Sequence, residues 1–131
     1  MVVQENKEIM NIDLNKLSKE IYEANKAKGF HYEKHSVEHM MCLVISELME
    51  AVEAVRKDIH ADLESFEQFM SGVKDKHYDK IYAECFKQLI KDTVSDELAD
   101  AAIRLLDTAG ALDLALYSFS KDSCDYGTTK N

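Results

Sequence analysis

The sequence predicts an all-α fold, an antiparallel bundle of about four to six helices. The chain of 131 residues contains no proline and only four glycines, so few positions interrupt a helix. Apolar residues recur at intervals of three and four, and the alternation of β-branched and aromatic residues that is typical of strands is missing. Because 46% of the residues are hydrophobic, we expect residues 1–131 to form a single domain with a core of ordinary size.

The first helix follows a polar start. Residues 1–10 are expected to fray, and Asn11 or Asp13 is suited to cap a helix that runs to about Lys28. Gly29 follows in the position of a helix terminator. Two aromatic side chains in the next turn are predicted to fold back onto the core; they are Phe30 and Tyr32.

A long second helix is expected to be the element around which the chain is arranged. Ser36 is a suitable N-cap, and the helix is predicted to run to about Lys57. At 100° per residue, its apolar side chains fall within about 60° of one direction and form a stripe predicted to face the core. The stripe consists of Met41, Val44, Ile45, Leu48, Ala51, Val52 and Val55. Glu47 and Glu50 lie on a second face, flanked by apolar neighbours.

Four more helices complete the predicted bundle. Apolar spacing indicates a third helix from Leu63 to about Ser71 and a fourth over 78–89. A fifth begins near Asp92 or Thr93, and Gly110 is predicted to close it. The last predicted elements are a short helix over 112–119 and a polar tail over 120–131.

The fifth helix repeats the pattern of the second. Its predicted core stripe is Val94, Leu98, Ala101, Ala102, Leu105 and Ala109. Glu97 and Asp100 occupy the same positions relative to this stripe as Glu47 and Glu50 do in the second helix. Acids three residues apart are common in a chain with 25 of them, but these two pairs also share their register and their flanking residues. If the two faces pack together, four carboxylates converge, and such a cluster needs cations.

Composition excludes several kinds of partner. A net charge of −9 argues against a nucleic-acid polymer, although a free nucleotide can reach acidic groups when Mg²⁺ lies between them. The longest apolar run, residues 40–45, is far shorter than the ~20 residues of a membrane span, and the start lacks the features of a signal peptide. Cys42, Cys85 and Cys124 show no metal-binding spacing. We therefore expect a cytoplasmic protein with reduced thiols and no membrane partner.

Three segments of the sequence resemble those of a known family. They are G-F at 29–30, I-S-E-L-M-E-A-V-E-A-V-R-K at 45–57 and D-E-L-A-D-A-A-I-R-L-L-D at 96–107. Together they resemble the MazG-type all-α nucleoside triphosphate pyrophosphohydrolases, which carry E-x-x-E followed by E-x-x-D. The resemblance covers roughly residues 14–114. The segment between the two motifs is longer than in compact family members, which implies a helical insertion around 62–89.

The resemblance implies an activity and a set of site residues. Members hydrolyse (d)NTPs to the nucleoside monophosphate and pyrophosphate with Mg²⁺, which Mn²⁺ can replace. The implied catalytic and metal-binding residues are Glu47, Glu50, Glu97 and Asp100. The physical chemistry agrees, since two Mg²⁺ ions about 4 Å apart can orient the attacking water and offset the charge of the leaving phosphates.

Four further residues are candidates for roles around the four acids. One of the four acids, or Glu53 outside them, is expected to accept the proton of the attacking water, and a solvated surface position is the alternative for Glu53. Arg104 is placed either to hold a phosphate or to pair with Asp100 one turn earlier. Asp107 is a candidate outer group of the site or a surface acid, and Lys121 is the nearest candidate for nucleoside recognition.

The favoured function is therefore Mg²⁺-dependent hydrolysis of (d)NTPs, and the purpose that fits it is nucleotide-pool house-cleaning. The alternatives are a pyrimidine-specific dUTP or dCTP pyrophosphatase and a non-catalytic helical interaction module. A homodimer or homotetramer is expected, since one chain offers few apolar walls for a bundle core and family members form dimers or dimers of dimers. Zinc is not predicted, because His31 and His35 fall in a turn.

Overall fold

The computed structural model of the protein describes residues 12–74 and 76–116. Within these residues the fold is all-α, as predicted, with five helices and no strand. The helices are α1 (Leu14–Ala27), α2 (Val37–Arg56), α3 (Leu63–Ser71), α4 (Tyr78–Leu89) and α5 (Val94–Ala111). The polar start at 1–10, the alternative cap Asn11 and the tail at 120–131 lie outside the described residues. No described helix is long and apolar enough to cross a membrane.

Short polar side chains start four of the helices. Each accepts a hydrogen bond from a backbone N–H of the first turn, which otherwise has no partner in the helix. The caps are Asp13 for α1, Ser36 for α2, Asp62 for α3 and Thr93 for α5. Gly29 follows α1 with φ 88°, a conformation that costs a glycine little. The predicted starts of α1, α2 and α5 and the predicted end of α1 are confirmed.

The central element is α5, not α2, because α2 and α1 each pack against α5 and not against each other in the described residues. Glu47 of α2 contacts Arg104, whereas Glu50, three residues later, contacts Glu97, seven residues earlier in α5. The two helices are therefore antiparallel. On the other side of α5, the Ser18 hydroxyl of α1 donates a hydrogen bond of 2.6 Å to the carbonyl oxygen of Leu106.

Gly110 lies inside α5 and does not close it, so this part of the prediction was wrong. A Cβ at this position would lie 2.6 Å from the Ser18 carbonyl oxygen and 2.7 Å from the Tyr22 Cβ. The glycine therefore allows α1 to approach α5 closely. The predicted last helix is also absent over 112–116, where the Leu116 backbone is instead hydrogen-bonded to the Asn15 side chain; its remainder, 117–119, lies outside the described residues.

The apolar stripes predicted to face the core are mostly exposed, because α2 and α5 turn their acidic faces toward each other. Glu47 and Glu97 are only 8% and 5% exposed, whereas Leu48 and Leu98 are 43% and 49% exposed. The members of the two stripes that are buried, as predicted, are Val44, Ala51, Ala101 and Ala109. The exposed members are Met41, Ile45, Leu48, Val52, Val55, Leu98, Ala102 and Leu105.

The turn after α1 also differs from the prediction. Phe30 and Tyr32 are 63% and 93% exposed and do not fold back onto the core. His31 takes that inward position, where its ring meets the Tyr22 ring edge-on at a centroid distance of 4.8 Å.

Helices α3 and α4 form a hairpin that packs only on itself within the described residues. The Phe66 ring meets the Tyr82 and Phe86 rings edge-on and forms the interior of the hairpin. At its base, the Asp62 N–H donates to the Leu89 carbonyl oxygen at 3.0 Å. The segment predicted as a helical insertion is thus a small helical unit that the chain inserts between α2 and α5.

Candidate metal centre

Three of the four predicted acids converge between α2 and α5. One carboxylate oxygen each from Glu47, Glu97 and Asp100 lies within 4.8 Å of the other two. Glu97 and Asp100 are neighbours on α5 because residues three apart share a helix face, and the antiparallel packing brings Glu47 opposite them. The fourth acid, Glu50, is exposed and lies at the rim of the cluster, where its charge acts on the Glu97 carboxyl.

The cluster binds protons more tightly than isolated carboxylates do. Burial, followed by the charge of Glu50, raises the pKa of Glu97 from 4.5 to about 7. Burial and the charge of Asp96 raise the pKa of Asp100 as well. Closely spaced carboxylates that are shielded from water need a positive partner, which is either a proton or a bound cation.

Arg104 supplies part of that positive charge. Its Nε donates a hydrogen bond to the Glu47 carboxylate across the helix pair. The ion pair is therefore made with Glu47 and not with Asp100, the partner that the helical spacing suggested. The Arg104 side chain is 42% exposed, so the guanidinium is still accessible from the cavity described next.

A cavity of about 320 Å³ borders the carboxylates. The end of α1 and the following turn form one wall, with Asn25, Phe30, His31 and His35. The facing surfaces of α2 and α5 form the rest, with Met40, Leu43, Glu47, Asp100, Ile103, Arg104 and Asp107. Arg104 is the only lysine or arginine among these residues. The cavity therefore joins an aromatic and amide wall to an acidic floor with one permanent positive charge.

Asp107 is an inner residue of this cavity and not a surface acid. The His31 Nε2 lies 2.8 Å and 3.0 Å from its two carboxylate oxygens, and both side chains are largely buried. The contact fixes the turn after α1 against α5. Sequence reasoning gave His31 no role, and no spacing signal points to the pair because its members are 76 residues apart.

Two other candidates are not brought into the site. Glu53 is exposed and its carboxylate lies 3.0 Å from the Lys57 ammonium group one turn later, so the solvated alternative describes it. Lys121 lies outside the described residues.

Comparison of the chain with protein-family models, with curated proteins and with solved structures finds no match. The chemistry open to the protein therefore follows from its own side chains.

The raised pKa values predict how stability depends on pH when metal is absent. Between about pH 4.5 and 7, folded Glu97 retains a proton that the unfolded chain releases, so raising the pH favours unfolding. Asp100 acts in the same direction. The carboxyls with lowered pKa, Glu53 and Asp62, act only below about pH 4.5. With a chelator present, we expect the midpoint temperature of thermal unfolding to decrease as the pH is raised from 5 to 8. The decrease should be smaller in Glu97→Gln. A midpoint that rises over this range would contradict the prediction.

Proposed function

We propose that the protein is a Mg²⁺-dependent hydrolase that converts (d)NTPs to the nucleoside monophosphate and pyrophosphate. The observation that carries the proposal is the convergence of Glu47, Glu97 and Asp100 beside a cavity that also presents Arg104. Carboxylate oxygens are the protein ligands that Mg²⁺ prefers, and the ion retains positions for water and substrate phosphates. An acidic floor alone repels a triphosphate, so nucleotide binding at this site depends on the cation.

The three carboxylates fit such an ion. Mg²⁺ binds oxygen at about 2.0 to 2.1 Å, so its donors lie roughly 3 to 4 Å from one another. The carboxylate oxygens of the cluster lie within 4.8 Å of one another, a spacing that small side-chain rotations bring into that range. A bound Mg²⁺ supplies charge that offsets the phosphates and lowers the pKa of a coordinated water.

The side chains around the cluster have distinct proposed tasks. Glu50 is exposed at the rim and accepts the proton of the attacking water. Arg104 moves from Glu47 to a phosphate oxygen once the charge of Glu47 is shared with the cation. Water then adds across the anhydride bond between the α- and β-phosphates, which gives the monophosphate and pyrophosphate as the two products.

The aromatic and amide wall of the cavity is proposed to hold the nucleoside. Its volume of about 320 Å³ is at the lower end of the range of small-molecule pockets, about 300 to 1,000 Å³. Phe30 offers an exposed ring for stacking, and Asn25 offers both a donor and an acceptor. His31 is held in place by Asp107 and makes this wall rigid.

Two alternatives to this function remain: an enzyme with a narrower range of substrates and a protein without catalytic activity. Selection of dUTP or dCTP over other nucleotides would make the protein a pyrimidine-specific pyrophosphatase. A non-catalytic helical interaction module is favoured by the apolar side chains that α2 and α5 expose. These same side chains support a homodimer or homotetramer as the working form.

The test is an assay of pyrophosphate and orthophosphate release. The substrates are the four common NTPs, the four common dNTPs and, in addition, dUTP. With Mg²⁺ or Mn²⁺ we expect equal amounts of pyrophosphate and monophosphate, no orthophosphate and no turnover in a chelator. A product yield confined to dUTP or dCTP would select the pyrimidine-specific alternative. No hydrolysis of any nucleotide with either metal would overturn the enzymatic proposal and leave the interaction module.

A further inference from the structure

A second group of acids lies at the start of α5, next to the candidate metal centre. One carboxylate oxygen each from Asp92, Asp96 and Glu97 lies within 4.8 Å of the other two. Asp96 is one turn before Asp100 in α5, and Asp92 lies just before the helix begins. Glu97 belongs to this group and also to the candidate metal centre, so it joins the two.

The Glu97 carboxyl is buried among other acids. The residue is only 5% exposed. Its pKa is raised by burial and then by the charges of Glu50, Asp96 and Glu47. The side chains that act on this carboxyl are therefore all of its own sign, and none of them is a lysine or an arginine.

The hydrogen-bond donors near Glu97 are directed to other acids. The Asp92 N–H donates to the Asp96 carboxylate at 2.9 Å. The Arg104 Nε donates to the Glu47 carboxylate. Within the described residues, no N–H or hydroxyl group donates a hydrogen bond to the Glu97 carboxylate. An unpartnered carboxylate at a buried position is costly unless a cation binds it, and this observation is separate from the spacing of the acids.

One divalent cation does not balance the charge around Glu97. The two groups of acids together contain five carboxylates. The positive side chains beside them are Arg104, which pairs with Glu47, and Lys91, whose ammonium group lies 3.9 Å from the Asp92 carboxylate. These two side chains and one divalent ion still leave a net negative charge. Carboxylates that are partly shielded from water favour further compensation of that charge.

We propose that Asp92 and Asp96 bind a second divalent cation, with Glu97 bridging this ion and the one at the candidate metal centre. All of the donors are carboxylate oxygens, so the ion is a hard cation of the class of Mg²⁺, Mn²⁺ and Ca²⁺. In two-metal sites the ions lie about 3.5 to 4 Å apart. Neither Asp92 nor Asp96 was among the four acids predicted to bind metal, so this ligand set comes from the structure. The inference concerns cation binding and stands whether or not the protein hydrolyses nucleotides.

The test counts bound Mn²⁺ at pH 8 by electron paramagnetic resonance of the free ion. The wild-type chain is expected to bind two ions, the second more weakly because Asp92 is exposed and lies near Lys91. Magnetic coupling between the two ions should appear in the spectrum once both are bound. Asp92→Asn and Asp96→Asn are each expected to weaken binding of the second ion by about 10-fold or more and to change binding of the first by less than about threefold.

Asp113→Asn is the matched control. Asp92 and Asp113 both have a positive φ, 61° and 52°, which asparagine adopts readily, so both variants are expected to fold. Asp113 is exposed and follows α5 at its other end. Asp113→Asn removes the same charge as Asp92→Asn and should bind both ions as the wild-type chain does. Circular dichroism checks that all variants keep their helices.

Several results would overturn the inference. One is a single bound Mn²⁺ per wild-type chain at saturation, and another is wild-type affinity for the second ion in Asp92→Asn and Asp96→Asn. Equal weakening in Asp113→Asn would show attraction to the overall negative charge, and two ions without magnetic coupling would lie at separate sites. Two coupled ions in a chain that hydrolyses no nucleotide would overturn the proposed function and leave this inference standing.

Discussion

Glu97→Gln and Asp100→Asn are each expected to lower the turnover of nucleoside triphosphates by about two to three orders of magnitude. Both substitutions keep the shape of the side chain and remove a negative charge from the cluster. In this cluster the three carboxylate oxygens lie within 4.8 Å of one another. Because the lost contribution is electrostatic and not packing, the helical circular dichroism signal should be unchanged. Glu50→Gln is expected to lower turnover as well, since Glu50 contacts Glu97 from the rim.

Matched controls separate a site from general acidity. Glu20 and Glu64 also belong to pairs of acids three residues apart, but both are exposed on other helices, where Glu20 lies 3.9 Å from Lys16 and Glu64 accepts a hydrogen bond from Gln68. Glu20→Gln and Glu64→Gln should therefore change kcat and kcat/KM by less than about twofold. Similar losses in all of these variants would show that the converging acids have no special role.

Local chemistry made most helix boundaries predictable. Asp13, Ser36 and Thr93 cap helices because a short side-chain oxygen reaches the backbone N–H groups two or three residues ahead of it. Gly29 ends α1 because its positive φ is unfavourable for other residues. Gly110 has the same local sequence signal but serves a contact with Ser18, which is 92 positions away in the chain. Sequence patterns do not distinguish a glycine needed for a turn from one needed for close packing.

The direction in which each helix faces was less predictable. Helical periodicity identifies Met41, Ile45 and Leu48 as residues of one face, but it does not say what covers that face. In the described chain, α2 packs against α5 through the line that contains Glu47, about 100° away. The most apolar stripe of a helix faces the core only when that core is completed by the same chain, and the exposed stripes here support the proposed homodimer or homotetramer.

The candidate site was predictable only where it depends on spacing within one helix. The spacing of Glu97 and Asp100 on one helix is local, and the matching pattern in α2 indicated which face would meet them. The partner of Arg104 is 57 residues away and that of His31 is 76 residues away. Such contacts depend on how α2, α5 and the turn after α1 are arranged in space, which periodicity does not determine.

Saturating Mg²⁺ is expected to raise the midpoint of thermal unfolding by about 10 °C at pH 8. A ligand that binds only the folded state at 100 times its Kd adds about 2.7 kcal/mol to the free energy of unfolding. For a chain of this length, each kcal/mol corresponds to roughly 3 to 5 °C. The physical source of the effect is the repulsion among the clustered carboxylates, which is greatest when Glu97 has lost the proton that it holds up to about pH 7.

Two measurements test whether this increase comes from metal bound at the cluster: its pH dependence and its size in one substituted chain. At pH 5 a proton competes with Mg²⁺ for Glu97, and the raised pKa of Asp100 acts in the same direction, so the same metal concentration should raise the midpoint much less than at pH 8. Asp100→Asn removes one ligand and should reduce the increase at pH 8, whereas Glu64→Gln should leave it intact. NaCl at equal ionic strength controls for screening of the surface charge. An increase that is equal with NaCl, or equal in Asp100→Asn and wild type, would show that the cation binds elsewhere than between α2 and α5.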